Sequence, residues 1–549
     1  MRASTHFLIC RETVSFVIKL TVAEIPPPPD RNPQIDKQIQ ENEFFRAAKL
    51  KKSTPDQIMA NGNSTFTRRD ASQMDTWDPT LLWYAKAVGV MKSRPAKDPT
   101  AWIYQAAMHG FTLDPNFDPD AATFWTSTTQ GQSMPADPEQ AKFWAQCQHG
   151  TWYFAPWHRM YIGYYEQILR SIVIGIGGPS DWALPYWGYE SQNPKARALP
   201  AAFYQQTLPD GSANPLFESQ RDQGNDGAAF LTDNDVSTTQ AFSEHQFTSG
   251  PGPQGLPQGF GGPETGFDHL HNTPHGGLES QPHDVVHGEI GGLMGDPNTA
   301  GYDPIFYLHH ANIDRLWSLW MASDPANRNP AKSNWLSFPF NFHDGSGTAV
   351  TLAPNAVLDS VSSPFHYQYD DVASAPVAAP LAAAAAALPA FMTENPLPQM
   401  VGASSEPKPL TTQRTTMGVR LFPLSKPLGL LGAPDAHYQH AYVLAENVRC
   451  QGRPSGFAVY LNVPEGAGKP DDKYFVGSIS TFGLLQASIP SELHPGSGLT
   501  FTFDATKVIN LLKQEGRWDP DLLNVTFVPK RAQKPGSSIE VGRVSLHYV

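Results

Sequence analysis

The segment "DPIFYLHHANIDRLWSLW", residues 303–320, predicts a helix with one apolar face. Asp303 is a favourable N-cap residue, and Pro304 suits the first helical turn. Three- and four-residue spacing places His310 on the face that also carries Phe306, Ile313, Trp317 and Trp320. A histidine on an apolar face is either an ordinary hydrogen-bonded core residue or a metal ligand, so the rest of the chain must decide.

A second histidine helix is predicted by "DPTAWIYQAAMHG", residues 98–110. Asp98 has the character of an N-cap residue, Pro99 suits the first helical position, and Gly110 is expected to end the helix. These boundaries leave His109 in the last turn.

A third helix is predicted by "APWHRMYIGYYEQILRS", residues 155–171, with His158 at the start of an apolar stripe. His149, in "QCQHGTWYFAPWH", precedes His158 by nine positions. Two histidines therefore approach the start of one helix.

A fourth short helix is predicted by "QPHDVVHGE", residues 281–289, opened by Pro282. His283 and His287 are four positions apart, so their imidazoles would point from one face. Zinc-protease helices share this spacing but place a glutamate after the first histidine, where this chain has Asp284. The spacing indicates a metal site that differs from a zinc-protease site.

The histidines fall into two sets of three with no carboxylate ligand among them. Such all-imidazole sites suit copper, and two sets suggest two copper ions. The three cysteines lie far apart and offer neither a disulfide framework nor a zinc-binding pair. The candidate ligands are His109, His149 and His158 in one set, and His283, His287 and one of His309 or His310 in the other.

Length and composition limit the other possibilities. At 549 residues the chain is expected to form more than one domain. Its net charge of -13 and its lack of dense basic runs argue against a nucleic-acid or membrane partner, and leave a small-molecule substrate open. The N-terminal apolar stretches are interrupted by charges, so no clear signal peptide is present and the cytoplasm is slightly favoured. The oligomeric state cannot be read from the sequence.

Changes in composition divide the chain into four parts. Residues 1–60 are an unassigned leader, expected to be disordered, and 61–372 form a mainly α-helical domain with a four-helix bundle core and long loops. Residues 373–412, rich in alanine and proline, are predicted to be a linker. Evenly spaced β-rich segments predict an all-β sandwich over 413–549. These segments are "GFAVYLNVP", "KYFVGSIS", "LTFTFDA", "LNVTFVP" and "SIEVGRVSLHYV".

Two long segments resemble the copper-binding signatures of the tyrosinase and polyphenol oxidase family of type-3 dicopper proteins. They are "HGTWYFAPWHRMYIGYYE" and "HDVVHGEIGGLMGDP...DPIFYLHHANIDRLW". The resemblance implies that His109, His149 and His158 bind one copper and that His283, His287 and His310 bind the other. His309 would point about 100° away on the helix and be structural. The implied activity is oxidation of o-diphenols by O2 to o-quinones, with ortho-hydroxylation of monophenols.

The resemblance extends to three further features. Glu279 matches a glutamate that holds a water near the coppers in plant enzymes. Asp284 matches a position that is linked to monophenol activation in the family. Asp284 would act as a base for the phenol, or would only stabilise the helix dipole. Cys147, two before His149, resembles the Cys-x-His of fungal tyrosinases and implies a thioether to the His149 ring, the alternative being a buried thiol.

The C-terminal domain resembles that of plant polyphenol oxidases, which covers the active site in the latent enzyme. This implies a lid, for which an aromatic side chain such as Tyr438 or Phe482 is a candidate plug. A purely structural or oligomerising domain is the alternative. The resemblance also relates Tyr367 and Tyr369 to the Tyr-x-Tyr that closes the catalytic domain, with simple core packing as the alternative.

Several residues are left with open roles. Asn312 and Asp314 either orient the copper-binding imidazoles or bond within the bundle. A proline and two glycines break the pattern of a metal-binding helix around "HNTPH", so solvated loop positions are expected rather than ligands. These histidines are His245, His269, His271 and His275. Two rival functions remain, a reversible O2 carrier built on the same histidines and a zinc hydrolase.

Overall fold

The computed structural model describes residues 65–248, 256, 258–267, 274–372, 398–422, 440–464, 468–490 and 495–549. The predicted leader, His269, His271, Tyr438 and residues 373–397 of the predicted linker lie outside these ranges. Among the described helices, none has the length and apolar character needed to cross a membrane.

A bundle of helices surrounds the histidines of the first domain. The long helices α5 and α8 pack against each other, and α1 packs on α5. The helices of this domain are α1 (Pro79–Lys92), α2 (Trp102–His109), α3 (Pro119–Thr129), α4 (Asp137–Phe143), α5 (Phe154–Gly175), α6 (Thr239–Ser243), α7 (Asp284–Ile290), α8 (Ile305–Ser323) and α9 (Ser333–Leu336). The predicted helical domain is confirmed, and long irregular segments connect its helices.

Two of the predicted helix starts are wrong. The Asp98 carboxylate accepts a bond from the Thr100 amide at 2.9 Å, which closes a tight turn, and Ala101 is extended, so α2 begins only at Trp102. Similarly, Pro282 lies in a kinked turn that follows an extended Gln281, and the regular helix α7 begins after it. At Asp98 a local side-chain bond competes with the helical conformation that the cap signal favours.

Short strands close the helical domain. Strand β1 (Phe66–Arg68) pairs in parallel with β4 (Tyr367–Tyr369), and β2 (Phe340–His343) pairs with β3 (Ala349–Leu352). The buried Arg68 guanidinium lies 2.6 Å from Glu166, and both tyrosines of β4 donate to Asp314. The Tyr-x-Tyr segment therefore fastens the end of the domain to α5 and α8 through buried charges.

Asn312 and Asp314 bond within the bundle. Asp314 accepts from Arg159 on α5, and Asn312 donates to Glu190 at 2.8 Å. Their alternative role, orientation of the copper-binding imidazoles, has no contact to support it among the described residues.

The C-terminal domain is built on ten strands, which confirms its all-β class. The strands form one hydrogen-bonded antiparallel network in the order β10-β9-β12-β7-β5-β14-β8-β13-β6, with β11 on the free side of β8. Two helices, α10 (Leu484–Ser488) and α11 (Thr506–Gln514), accompany it. The strands are β5 (Gln399–Ala403), β6 (Lys408–Leu410), β7 (Thr415–Leu421), β8 (Ala441–Gln451), β9 (Phe457–Leu461), β10 (Phe475–Ile479), β11 (Leu499–Asp504), β12 (Leu522–Pro529), β13 (Ser538–Val541) and β14 (Arg543–Tyr548).

The predicted linker of 373–412 is too long at its C-terminal end. Strand β5 pairs with β14, and β6 pairs with β13, so the domain predicted to span 413–549 already includes Gln399. Glycine, serine and proline interrupt the alternation of apolar and polar residues in this stretch, so the sequence does not indicate strands there. The strands are recognised only by their pairing with strands far along the chain.

Candidate metal centre

Six histidines from the helix ends and one loop meet in the centre of the bundle. Ring nitrogens of His109, His149 and His158 lie with the Cys147 sulfur within 4.8 Å of one another. A second group, within the same limit, contains His283, His287, His309 and His310. The two sets predicted from the sequence are thus brought together, and the His158 and His310 rings stack with centroids 4.3 Å apart.

Four of the imidazoles are oriented by an oxygen that accepts from Nδ1. Carbonyls and carboxylates only accept, so Nδ1 carries the hydrogen, and the lone pair of a neutral ring is then on Nε2. The pairs are His109 with Pro297 O at 2.9 Å, His158 with Phe154 O at 2.8 Å, His283 with Asp284 Oδ1 at 2.8 Å and His287 with Met294 O at 2.7 Å.

The donor set fits copper. Burial lowers the pKa of His158 to about 3 and holds the pKa values of His149, His283, His287 and His310 well below the ordinary range, which keeps the rings neutral. The buried Nε2 of His283 has no hydrogen-bond partner among the described atoms, and Nε2 of His287 lies 3.2 Å from Nε2 of His310. Neutral nitrogen donors without carboxylates are the set expected for two copper ions.

His309 and His310 occupy different sides of α8. The His310 ring faces His158 and His287, between the two groups. The His309 ring packs between Tyr189, at 5.6 Å, and His283, at 5.3 Å, and neither of its nitrogens has a hydrogen-bond partner among the described residues. The position of His310 favours its predicted role as the ligand, which stays a prediction.

Cys147 lies against both neighbouring histidines of the first group. Its sulfur is 3.6 Å from Nδ1 and 3.5 Å from Nε2 of His149, and 3.2 Å from Nε2 of His158. The sulfur is thus nearly equidistant from the two nitrogens of His149. The thiol is buried and its pKa is raised well above the ordinary value by that burial. The thioether remains a prediction that this geometry permits.

Glu279 and Asp284 lie beside the centre with a partner that sequence reasoning missed. Both oxygens of Glu279 accept from the Gly150 amide, at 2.9 and 3.0 Å. His275 Nδ1 lies 2.6 Å from Asp284 Oδ2 and 3.7 Å from Glu279 Oε1. The expectation of a solvated His275 is wrong. The four-residue spacing of His275 and Glu279 was the available signal, but the glycines between them obscured it.

The glycines after His275 serve close packing of two backbones. A Cβ on Gly276 would lie 2.3 Å from the Gly262 amide nitrogen, so only glycine fits there. The Gly277 amide also bonds the Gly259 carbonyl at 2.9 Å. This packing, rather than a helix, holds His275 beside the centre.

Phe482 of the C-terminal domain covers the second histidine group. Its ring stacks on His287 with centroids 4.1 Å apart and planes 22° apart, and it meets His283 and His149 edge-on at 5.5 and 5.3 Å. The side chain is 1% exposed and belongs to the core of the helical domain rather than to its own. Phe482 thus occupies the position proposed for a plug.

Ion pairs hold the two domains together around this plug. Arg453 pairs with Asp296, with Asp120 at 2.8 Å and with Asp118 at 3.2 Å. Burial raises the pKa of Asp296 to about 7, and Arg453 acts against that rise. Three further cations of the C-terminal domain form ion pairs with the helical domain. Lys530 pairs with Asp235 and Glu289, Arg531 pairs with Glu289, and Lys534 pairs with Asp222. In each pair the carboxylate belongs to the helical domain.

A cavity of about 230 Å³ remains beside the plug, between the domains. It is lined on the helical side by His109, Cys147, His149, His275 and Pro297 and on the other by Phe482 and Gln486. A small molecule in this cavity would meet the first histidine group and His275.

Two buried sets of neutral imidazoles in a helical bundle define a dinuclear copper protein. A family model described as the common central domain of tyrosinase matches residues 99–323, and a model of a domain of unknown function matches 398–549. Tyrosinase HcTyr1 of Hahella sp. (strain CCB-MM4) is 36% identical over 480 residues, which is 86% of this chain and 97% of that protein. The chain belongs to the tyrosinase family.

More distant relatives share the architecture. Catechol oxidase B of Solanum tuberosum, a chloroplastic protein, is 26% identical over 432 residues, covering 72% of this chain and 66% of its own. The structure of latent apple tyrosinase has 22% identity and a TM-score of 0.54, covering 88% of this chain and 97% of that chain. A latent aurone synthase has 20% identity and a TM-score of 0.54, covering 89% of this chain and 90% of that chain.

Membership of the family decides between the functions left open by the sequence. The protein is an oxidoreductase that contains two copper ions and acts on phenolic substrates with O2. The zinc hydrolase and the reversible O2 carrier are therefore excluded.

Proposed function

We propose that this protein is a latent tyrosinase that oxidises o-diphenols to o-quinones, adds oxygen ortho to the hydroxyl of monophenols, and is switched off by its C-terminal domain. The observation that carries the proposal is the stacking of Phe482 on His287, 4.1 Å between centroids. An aromatic ring from one domain occupies the face on which an aromatic substrate would need to dock.

The histidines and their oxygen partners prepare the site. The Nδ1 groups of His158, His287 and His109 bond to the carbonyls of Phe154, Met294 and Pro297, which fixes the ring orientation and leaves Nε2 as the atom that would bind a metal. Copper held by the two groups supplies the electron transfer between a phenol and O2. Aromatic side chains surround the histidines, as Phe306 does at 4.6 Å from the His109 ring, and they would exclude water from a phenol bound there.

Access is controlled by competition for one face. While Phe482 stacks on His287, a phenol cannot stack there, and the Arg453 and Lys530 ion pairs hold the C-terminal domain in that position. Removal or displacement of the domain frees the face and leaves the histidines unchanged. The resting protein is therefore expected to contain copper and yet be nearly inactive.

The test compares catechol and tyrosine oxidation by the copper-loaded full chain before and after mild anionic detergent, with copper measured in both samples. We expect low rates before treatment, a large increase after it, and unchanged copper. Cleavage within residues 373–397, followed by separation of the two domains, offers an independent route to the same state. Full activity in untreated protein would contradict the lid, and absence of quinone from every sample would contradict the oxidase.

A further inference from the structure

The Asp284 carboxylate is fully engaged inside the protein. Its Oδ1 lies 2.8 Å from Nδ1 of His283, and its Oδ2 lies 2.6 Å from Nδ1 of His275. The residue is 3% exposed. Because Asp284 is buried and both oxygens already bond an imidazole, this carboxylate is poorly placed to act as the base itself.

His275 stands between Asp284 and the cavity. Its ring lines the cavity together with Cys147 and His149. Because Asp284 accepts from Nδ1, that nitrogen carries the hydrogen, and the lone pair of the neutral ring is on Nε2. The arrangement matches a carboxylate that orients an imidazole for proton transfer, as in hydrolase triads.

We propose that His275 is a catalytic residue that accepts the proton of the phenolic hydroxyl. The inference rests on the proposed function and deepens it. The phenol O–H bond breaks, its electron pair stays on the oxygen, and the proton bonds to Nε2 of His275. The product is a phenolate beside the histidine groups and an imidazolium that donates from Nδ1 to Asp284. Asp284 is then a positioning residue.

The groups around His275 stabilise the protonated ring. Asp284 and Glu279 lie 2.6 and 3.7 Å from Nδ1 of His275, and His149 is a further titratable group that interacts with this ring. The two carboxylates raise the pKa of His275 to about 9, against the opposing effect of burial. A ring with this pKa can accept the phenolic proton only in the molecules that hold it neutral, and that fraction grows as the pH rises toward 9.

His275→Asn is the variant that separates a base from a purely structural group. The asparagine amide nitrogen takes the place of Nδ1 and can still donate to Asp284, but nothing replaces Nε2. His245→Asn is the matched control, because His245 is about half exposed and pairs with Asp324 at 3.9 Å, away from the cavity.

The experiment uses copper-loaded full-length protein opened by detergent and a series of para-substituted monophenols of graded acidity. We expect His275→Asn to lower kcat/KM about 10²-fold or more for the least acidic phenols. The loss should shrink steadily as the phenols become acidic enough to arrive ionised. Copper content should stay at two per chain, and His245→Asn should behave as the wild type.

A binding measurement gives a second readout. Under anaerobic conditions, 4-nitrophenol is titrated with pH while the visible band of its anion is followed. Bound nitrophenol should ionise at lower pH in the wild type than in His275→Asn, because only the wild type offers an acceptor for the proton.

Three outcomes would overturn the inference. An equal loss of kcat/KM for all phenols in His275→Asn would show that His275 has only a structural role. An unchanged kcat/KM would show that His275 takes no part in the reaction. A third copper per chain that disappears in His275→Asn would make His275, Glu279 and Asp284 a metal site instead, since their donor atoms also lie within 4.8 Å. Failure of the wild type to oxidise any phenol would instead count against the proposed function.

Discussion

Replacement of Phe482 by alanine should convert the latent protein into an active one. In the closed form the phenyl ring is 1% exposed and stacks on His287. In the open form the same ring is in water. Burial of a phenylalanine side chain contributes about 1.5–3 kcal/mol, and a stacked aromatic pair adds about 0.5–1.5 kcal/mol.

These contributions set the size of the effect. Loss of about 2–4.5 kcal/mol from the closed form alone multiplies the ratio of open to closed protein by about 30 to 1,600, at 1.4 kcal/mol for each factor of ten. Catechol oxidation by untreated Phe482→Ala should therefore rise at least about tenfold, up to the rate of the detergent-opened protein.

The assay follows quinone formation from a catechol with and without detergent, and relates both rates to copper content. Phe475→Ala is the matched control, since Phe475 is a half-buried ring of the same domain that packs on Tyr460 at 5.6 Å. If Phe482→Ala is as inactive as the wild type before detergent and equal to it afterwards, the ring does not hold the site closed.

Further predictions concern the ligands, the sulfur and the ion pairs. His310→Ala should lose oxidase activity and about half of the copper, because each ion has three protein ligands, whereas His309→Ala should keep most of the copper by elemental analysis. The opposite result would reverse the assignment. Peptide mapping of the copper-loaded protein should show a loss of two hydrogens over 147–149, and a freely alkylated Cys147 in active enzyme would contradict the thioether. Arg453→Gln should raise the activity of untreated protein several-fold by leaving buried carboxylates without their cation. Arg449→Gln, which removes an exposed pair within the C-terminal domain, should not.

Features with a local pattern were predictable from the sequence. The histidine spacing on apolar helix faces indicated two groups of ligands, Gly110 marked a real helix end, and Asp303 lies one residue before the N-cap of α8. The signal at Asp98 misled because its side chain closes a turn, and the signal at Pro282 misled because the residue before it is extended. A cap residue indicates the neighbourhood of a helix start, and tertiary packing determines the residue at which the helix begins.

Features that depend on distant partners were not predictable. His275 bonds to Asp284 only because close packing of two glycine backbones holds it there. Arg453 pairs with a carboxylate more than 150 residues away in the sequence. Strand β5 is recognisable only through its ladder to β14, near the end of the chain. Single-sequence patterns contain no information on such pairings.

The position of Phe482 also constrains the order in which the enzyme is assembled. His283, His287 and His310 are fully buried beneath the ring and the domain that carries it. We therefore expect a metal ion to reach these nitrogens only before the domains dock or during an opening. Metallation of a folded, closed chain is consequently limited by the frequency of opening rather than by metal concentration, and the cover that silences catalysis also retains the ions once they are bound.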